Sequence, residues 1–184
     1  MIEVRLHGRG GQGTVTSAEL VALSAIEEGK YAQSFPSFGP ERRGAPVQAF
    51  LRIDDNDRIK IRTEVQTPNV VVVLDAGLIK VVNIALGLQS GGTIVLNTAV
   101  PIPEIRKEFG VTARLATVNA TKIAREMLGR PITNTTMIGA LIKATGLVKL
   151  ESLIGPLEHR FGKEGAKKNI EAMKKAYEET QIDG

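Results

Sequence analysis

A three-layer α/β fold, with a mostly parallel (mixed) sheet, helices on both faces and a helical C-terminus, is the fold class the sequence predicts. Three observations carry that expectation. Apolar runs rich in Val, Ile and Leu alternate with helix-period segments over the first two-thirds of the chain, the pattern of strand–helix crossovers. The run Asn69-Val70-Val71-Val72-Val73-Leu74-Asp75 is continuous rather than alternating, which marks a strand covered on both sides. Beyond residue 128 only helical periodicity remains. With 184 residues, one domain spanning residues 1–184 is expected, large enough to bury a core without a metal or disulfide staple.

Residues 2–7 alternate and stop at glycine, as a first strand does. Residues 14–28 follow as a helix whose Val15, Ala18, Ala22, Ala25 and Ile26 make a broad apolar face, with Gly29 placed to end it. Residues 30–35 read as a second strand. Residues 36–46 hold three prolines and two glycines in eleven positions and read as a loop long enough to serve a function. Residues 47–53 and 58–62 flank Asp54-Asp55-Asn56-Asp57 and predict an antiparallel hairpin. After the strand at 69–75 come a helix over 76–88, a strand over 92–97, a short helix over 102–109, a strand over 113–118 and a helix over 120–128. Helices over 134–145, 150–161 and 163–179 close the chain, the last with Ala166, Ile170, Met173 and Tyr177 along one seam.

Composition excludes several function classes. Cysteine is absent, so no iron–sulfur cluster, thiolate nucleophile, zinc ribbon or disulfide can be built from this chain. His7 and His159 are the two imidazoles, too few for a three-histidine metal site. There is no Ser/His/Asp order and no carboxylate pair marked out by spacing, so neither a catalytic residue nor a metal ligand is assigned. The 24 basic against 20 acidic residues leave +4, spread through the chain without a stripe that would suit nucleic acid. No apolar run is long enough to span a bilayer, and the N-terminus lacks a signal pattern. A cytoplasmic protein is expected.

Chemistry concentrates near the N-terminus. In Gly8-Arg9-Gly10-Gly11-Gln12-Gly13-Thr14 a strand pattern gives way to four glycines in six residues and then to a helix. Glycine lets backbone N–H groups approach a ligand, and a strand-to-helix junction adds the positive end of the helix, so the segment suits an anion. Gly8, Gly10 and Gly13 match the G-x-G-x-x-G spacing of a dinucleotide site. The acidic residue that would clasp a ribose is missing from the second strand, which ends Gln33-Ser34-Phe35. No Gly-Lys-Ser/Thr follows to make a Walker-type loop. The same glycines also suit a tight turn with close packing, and Gln12 suits either a ligand amide contact or a brace across the loop.

A second constellation, Phe38-Gly39-Pro40-Glu41-Arg42-Arg43-Gly44-Ala45-Pro46, sets two adjacent arginines in a frame of proline and glycine. Arginine is the forked donor suited to carboxylates and phosphates. An internal pair with Glu41, a bound ligand and an acidic partner surface are the open readings. Asp75 and Asn97 end strands where open α/β sheets place ligands, though each could cap the next helix, as could Asn134-Thr135-Thr136. His7 beside the glycine loop is a candidate polar contact; His159 reads as surface.

Together these residues resemble the gamma subunit of the 2-oxoacid:ferredoxin oxidoreductases, which include the pyruvate and 2-ketoisovalerate enzymes. The resemblance rests on Gly8-Arg9-Gly10-Gly11-Gln12-Gly13 and on Gly39-Pro40-Glu41-Arg42-Arg43-Gly44-Ala45-Pro46. It continues through Asp75-Ala76, Asn97 and Asn134-Thr135-Thr136-Met137-Ile138-Gly139-Ala140. It implies a Rossmann-like domain in a multi-subunit enzyme that oxidatively decarboxylates a 2-oxoacid to its acyl-coenzyme A and passes electrons to ferredoxin. It also implies alpha-, beta- and delta-type partner subunits, with thiamine diphosphate and iron–sulfur clusters mainly on them, coenzyme A as co-substrate, and an isolated chain without activity. Gly8, Gly10, Gly11, Gln12, Gly13, Arg42 and Arg43 are then the candidate ligand contacts, expected to meet coenzyme A beside the thiamine site. The alternatives are an assembly subunit that touches no substrate, and a free-standing dinucleotide-dependent oxidoreductase.

Overall fold

A computed structural model describes residues 1–37 and 44–183. Strands β1 (Ile2–Arg9), β2 (Tyr31–Pro36), β3 (Pro46–Asp54), β4 (Val70–Val73), β5 (Thr93–Asn97), β6 (Arg114–Val118) and β7 (Gln181–Asp183) form one sheet in the order β2-β3-β1-β4-β5-β6-β7. Strands β1, β4, β5 and β6 run parallel, whereas β2–β3, β3–β1 and β6–β7 are antiparallel pairs. The helices are α1 (Thr14–Glu27), α2 (Ile102–Phe109), α3 (Ala120–Leu128), α4 (Asn134–Thr145) and α5 (Ile154–Glu179). No helix among the described residues is long and apolar enough to cross a membrane.

The valine run of β4 is what makes the sheet the middle layer. Val70 and Val72 enter a large core with Val4, Leu6, Val95 and Ala116, joined by residues of α1, α3, α4 and α5. Val71 and Val73 point the other way, into a smaller core with Ile94, Leu96 and Leu115 beneath α2 and a 3-10 turn at Ala76–Lys80. A strand whose side chains are apolar on both faces can only be satisfied this way. The seam expected on the last helix is there: Ala166 and Met173 are fully buried, and Ile170 and Tyr177 pack against the same core.

Four expectations are corrected. Residues 58–62 form no strand, because both edges of β3 are already taken, by β1 and β2; the hairpin is β2–β3. Buried Arg52 instead ties this returning segment to the sheet, donating to the Thr63 carbonyl at 2.7 Å and to Glu3 Oε1 at 2.7 Å. The helix expected over 76–88 shortens to Ala76–Lys80. The carbonyls of Ile84 and Leu86, which a helix would bond internally, accept from the buried Arg5 guanidinium instead. Strands do not end at residue 118: β7 pairs with β6, and Asp183 meets Arg106 Nε at 3.0 Å. On α1 the buried side is Thr14, Ser17, Ala18, Leu20, Val21, Ala22, Ser24 and Ala25, which leaves Val15 and Ile26 exposed. The break expected between the last two helices falls at Gly162, the non-helical position within α5.

Helices α4 and α5 meet at a close approach. A Cβ on Gly139 would lie 2.0 Å from the Met173 carbonyl oxygen, which is backbone and has no rotamer to move to. Gly139→Ala is therefore expected to destabilise the chain by about 1–3 kcal/mol through overpacking, read as a lower denaturant midpoint at unchanged m-value.

Candidate functional site

The topology places a cleft at the C-terminal rim of the parallel strands. After β1 the chain turns to α1 on the large-core side, and after β4 it turns to the 3-10 segment on the small-core side. Between two such departures the rim opens, as it does at switch points of doubly wound sheets. The cleft is about 490 Å³, lined among others by Gln12, Asp75, Asn97, Thr98, Asn119 and Thr133. Its polar lining is amides and hydroxyls with the Asp75 carboxylate, set among Leu74, Ala76, Ala99 and Pro131.

The glycine loop closes one side. A Cβ on Gly8 would stand 2.0 Å from Thr14 Oγ1, so a larger residue here would displace the Thr14 side chain at the first turn of α1. Gly13 has φ 77° at the N-cap of α1, and a Cβ there would lie 2.6 Å from Asn134 Nδ2. Packing thus accounts for these two glycines. Gly11 has φ 91° and open space around it. No side chain caps α1, so the positive end of the helix carries no acidic group of its own. Gln12 braces the loop: its Oε1 accepts from the Arg9 amide at 2.8 Å and its Nε2 donates to Asp75 Oδ2 at 3.1 Å.

The second motif arrives at the same place. The Gly10 amide donates to the Ala45 carbonyl at 2.9 Å, the Gly44 amide donates to the Gly10 carbonyl at 3.1 Å, and Arg9 Nη1 donates to the Gly44 carbonyl at 3.2 Å. The backbone that follows the paired arginines is therefore joined to the glycine loop. Arg42 and Arg43 themselves, with residues 38–41, lie outside the described residues. Arg9, which the motif contained but to which no role was given, is the connecting group. Its Nε donates to Asp75 Oδ2 at 2.9 Å with both side chains about 30% exposed (31% and 27%). Nothing in local spacing signals this contact, because Arg9 and Asp75 belong to different strands.

Other candidates resolve as follows. Asp75 does cap the segment after β4, accepting from the Gly77 amide through Oδ1 at 2.9 Å, and it also faces the cleft. Asn97 bridges the rim, donating to the Leu74 carbonyl at 2.8 Å and to Thr121 Oγ1 at 2.9 Å. Asn134, Thr135 and Thr136 are not caps: they form the first turn of α4 and are buried, with Asn134 against Gly13. His159 is exposed. The ribose clamp of a dinucleotide site has no counterpart, since β2 carries no carboxylate.

The family model described as pyruvate ferredoxin/flavodoxin oxidoreductase matches residues 3–179. The chain belongs to this family. It is 50% identical over 183 residues to the pyruvate/ketoisovalerate oxidoreductases common subunit gamma of Thermococcus litoralis, covering 99% of this chain and 98% of that one. It is 50% identical over 181 residues to pyruvate synthase subunit PorC of Methanothermobacter thermautotrophicus, covering 98% of this chain and 97% of that one. Among solved structures, the pyruvate oxidoreductase subunit PORC of Thermotoga maritima superposes with a TM-score of 0.89 at 38% identity, over 100% of this chain and 98% of that one. The sequence holds no cysteine, and no group of three or more His, Cys, Asp or Glu that could hold a metal ion is present among the described residues.

His7 is buried at 3% exposure and turned into the sheet rather than toward the loop, with Nε2 accepting from Arg5 Nε at 3.1 Å. Burial, and then the neighbouring Arg5 charge, push its pKa down from 6.5 to about 4. The unfolded chain therefore binds a proton between those values that the folded chain refuses, so stability falls as pH drops through that window and levels off below it. The loss from this group is about 3 kcal/mol. His7→Gln is expected to flatten the slope of unfolding free energy between pH 6.5 and 5, measured by urea denaturation at a series of pH values.

Proposed function

We propose that this chain is the gamma subunit of an oxidoreductase that decarboxylates a 2-oxoacid, pyruvate or 2-ketoisovalerate, to the acyl-coenzyme A with electrons passed to ferredoxin. Its relatedness over the whole chain to subunits named for these reactions supports the reading. Thiamine diphosphate and the clusters belong on the alpha-, beta- and delta-type partners, a reading supported by the absence of cysteine, and so of thiolate ligands for iron, from this sequence.

Within that enzyme, the 8–13 loop and Arg42/Arg43 receive the phosphates of coenzyme A and help cover the thiamine site. The single observation that carries this role is the joining of the two motifs, Gly10 to Ala45 and Arg9 to Gly44, beside the open rim. Backbone amides at an uncapped helix end and two guanidinium groups are the donors that a polyphosphate needs. The name of the Thermococcus relative points the same way. A subunit common to the pyruvate and ketoisovalerate enzymes serves what two reactions share, and they share coenzyme A and ferredoxin rather than the acyl side chain.

The test is Arg42→Ala and Arg43→Ala, singly and together, in the assembled enzyme. Each is expected to raise the KM for coenzyme A roughly tenfold, as loss of a charge-assisted hydrogen bond does, with the KM for the 2-oxoacid unmoved. Unchanged coenzyme A dependence with intact assembly overturns the role. Loss of assembly alone moves the arginines to a subunit interface and favours the purely structural reading.

A further inference from the structure

We propose that Asp75 is a positioning residue for coenzyme A, holding the glycine loop and the backbone after Arg43 in one arrangement through Arg9. The inference rests on the reading of those loops given under Proposed function.

One carboxylate reaches three residues on two pieces of chain, the glycine loop and the turn after β4. Its Oδ2 accepts from Arg9 Nε at 2.9 Å and from Gln12 Nε2 at 3.1 Å, and its Oδ1 accepts from the Gly77 amide at 2.9 Å. Arg9 passes the constraint on, since Nη1 of the same guanidinium donates to the Gly44 carbonyl at 3.2 Å, directly after Arg43 in the chain. Gln12 closes the circuit by accepting from the Arg9 amide at 2.8 Å. Remove the carboxylate and Arg9 loses the contact that orients its plane, while Gln12 loses one of two.

The charge matters as much as the geometry. Asp75 lines the cleft, and a bare carboxylate there would repel a phosphate-bearing ligand. Paired with Arg9 it presents a near-neutral wall, so the anion meets the donors of the loops without an opposing field. An amide cannot substitute. Asparagine has one acceptor oxygen, which can serve the Gly77 amide or the Arg9 and Gln12 donors but not both, and its NH₂ would face donors. A role confined to capping the 3-10 turn would survive Asp75→Asn; the positioning role would not.

The experiment uses the assembled oxidoreductase carrying Asp75→Asn, Arg9→Gln or both, with two readouts. Steady-state rates are measured against coenzyme A and against the 2-oxoacid, and amide hydrogen exchange is followed in peptides covering residues 8–13 and 44–48. The KM for coenzyme A is expected to rise about five- to tenfold, more than kcat falls, while the 2-oxoacid KM stays put. Exchange at Gly10 and Gly44 quickens, and the double variant is no worse than the poorer single one, because the two residues act as a unit. Unaltered exchange overturns the proposal. So does faster exchange with an unaltered coenzyme A KM, strict additivity of the two changes, or loss of assembly as the sole effect. If the Arg42 and Arg43 variants leave coenzyme A dependence intact, the loop reading itself has failed, and the exchange data still report separately whether Asp75 couples the two turns.

Discussion

The parallel pairing of β1 with β4 is the constraint on which the rim depends. With Val4 opposite Val70 and His7 opposite Val73, β4 ends two residues short of the end of β1, and the Leu74 amide continues the ladder to the His7 carbonyl at 2.8 Å. Arg9, which ends one strand, and Gln12 beyond it are thereby delivered to Asp75, which follows the other. The register is held by alternation. A slip of one residue would turn Val4 and Leu6 out of the large core and drive Arg5 and His7 into it. The apolar core thus sets the polar site, although the two share no residue of β1.

The same strand imposes a second requirement. Its other face carries Glu3, Arg5 and His7, and β3 places Arg52 beside Glu3 in direct register. Buried guanidinium groups are costly unless their donors are met. Arg52 is met by a carboxylate and a carbonyl, with the Phe35 ring 5.5 Å away. Arg5 is met by two carbonyls and an imidazole. Each solution recruits a segment of irregular chain, residues 63 and 84–86, to cover the sheet where no helix lies. Irregular cover here is a consequence of charge burial, not of weak propensity.

This explains what could and could not be read from the chain. The β1, β4, β5 and β6 strands, the α1–α5 helices and the break at Gly162 were legible because periodicity and glycine placement are local signals. The failures are all cases in which a distant partner decided the outcome. Residues 58–62 alternate convincingly, but β3 had no free edge for them. Residues 76–88 have helical composition, yet their carbonyls belong to an arginine about eighty positions earlier in the chain. The three residues of β7 are too few to register as a pattern and exist because β6 offers an edge. At the site, the glycine motif was visible, whereas the roles of Arg9 and of Asn134 needed the third dimension. Val15 and Ile26 were placed on the broad apolar face of α1 by helical spacing, but the buried side is centred on Ser17, Ala18, Leu20, Val21, Ser24 and Ala25.

The polar lining of the cleft is Gln12, Asn97, Asn119, Thr98, Thr121 and Thr133, with Asp75 paired to Arg9. Its amides and hydroxyls donate and accept hydrogen bonds and carry no charge. The contribution available to such a chain is arrangement: a helix end without an acidic cap, two turns joined by backbone hydrogen bonds, and a carboxylate that orients an arginine. Arrangement of this kind is worth most when the reacting groups sit on a neighbouring subunit. Holding a flexible ligand in one pose is entropic work. A cysteine-free chain whose rim carboxylate is paired with an arginine suits that division of labour.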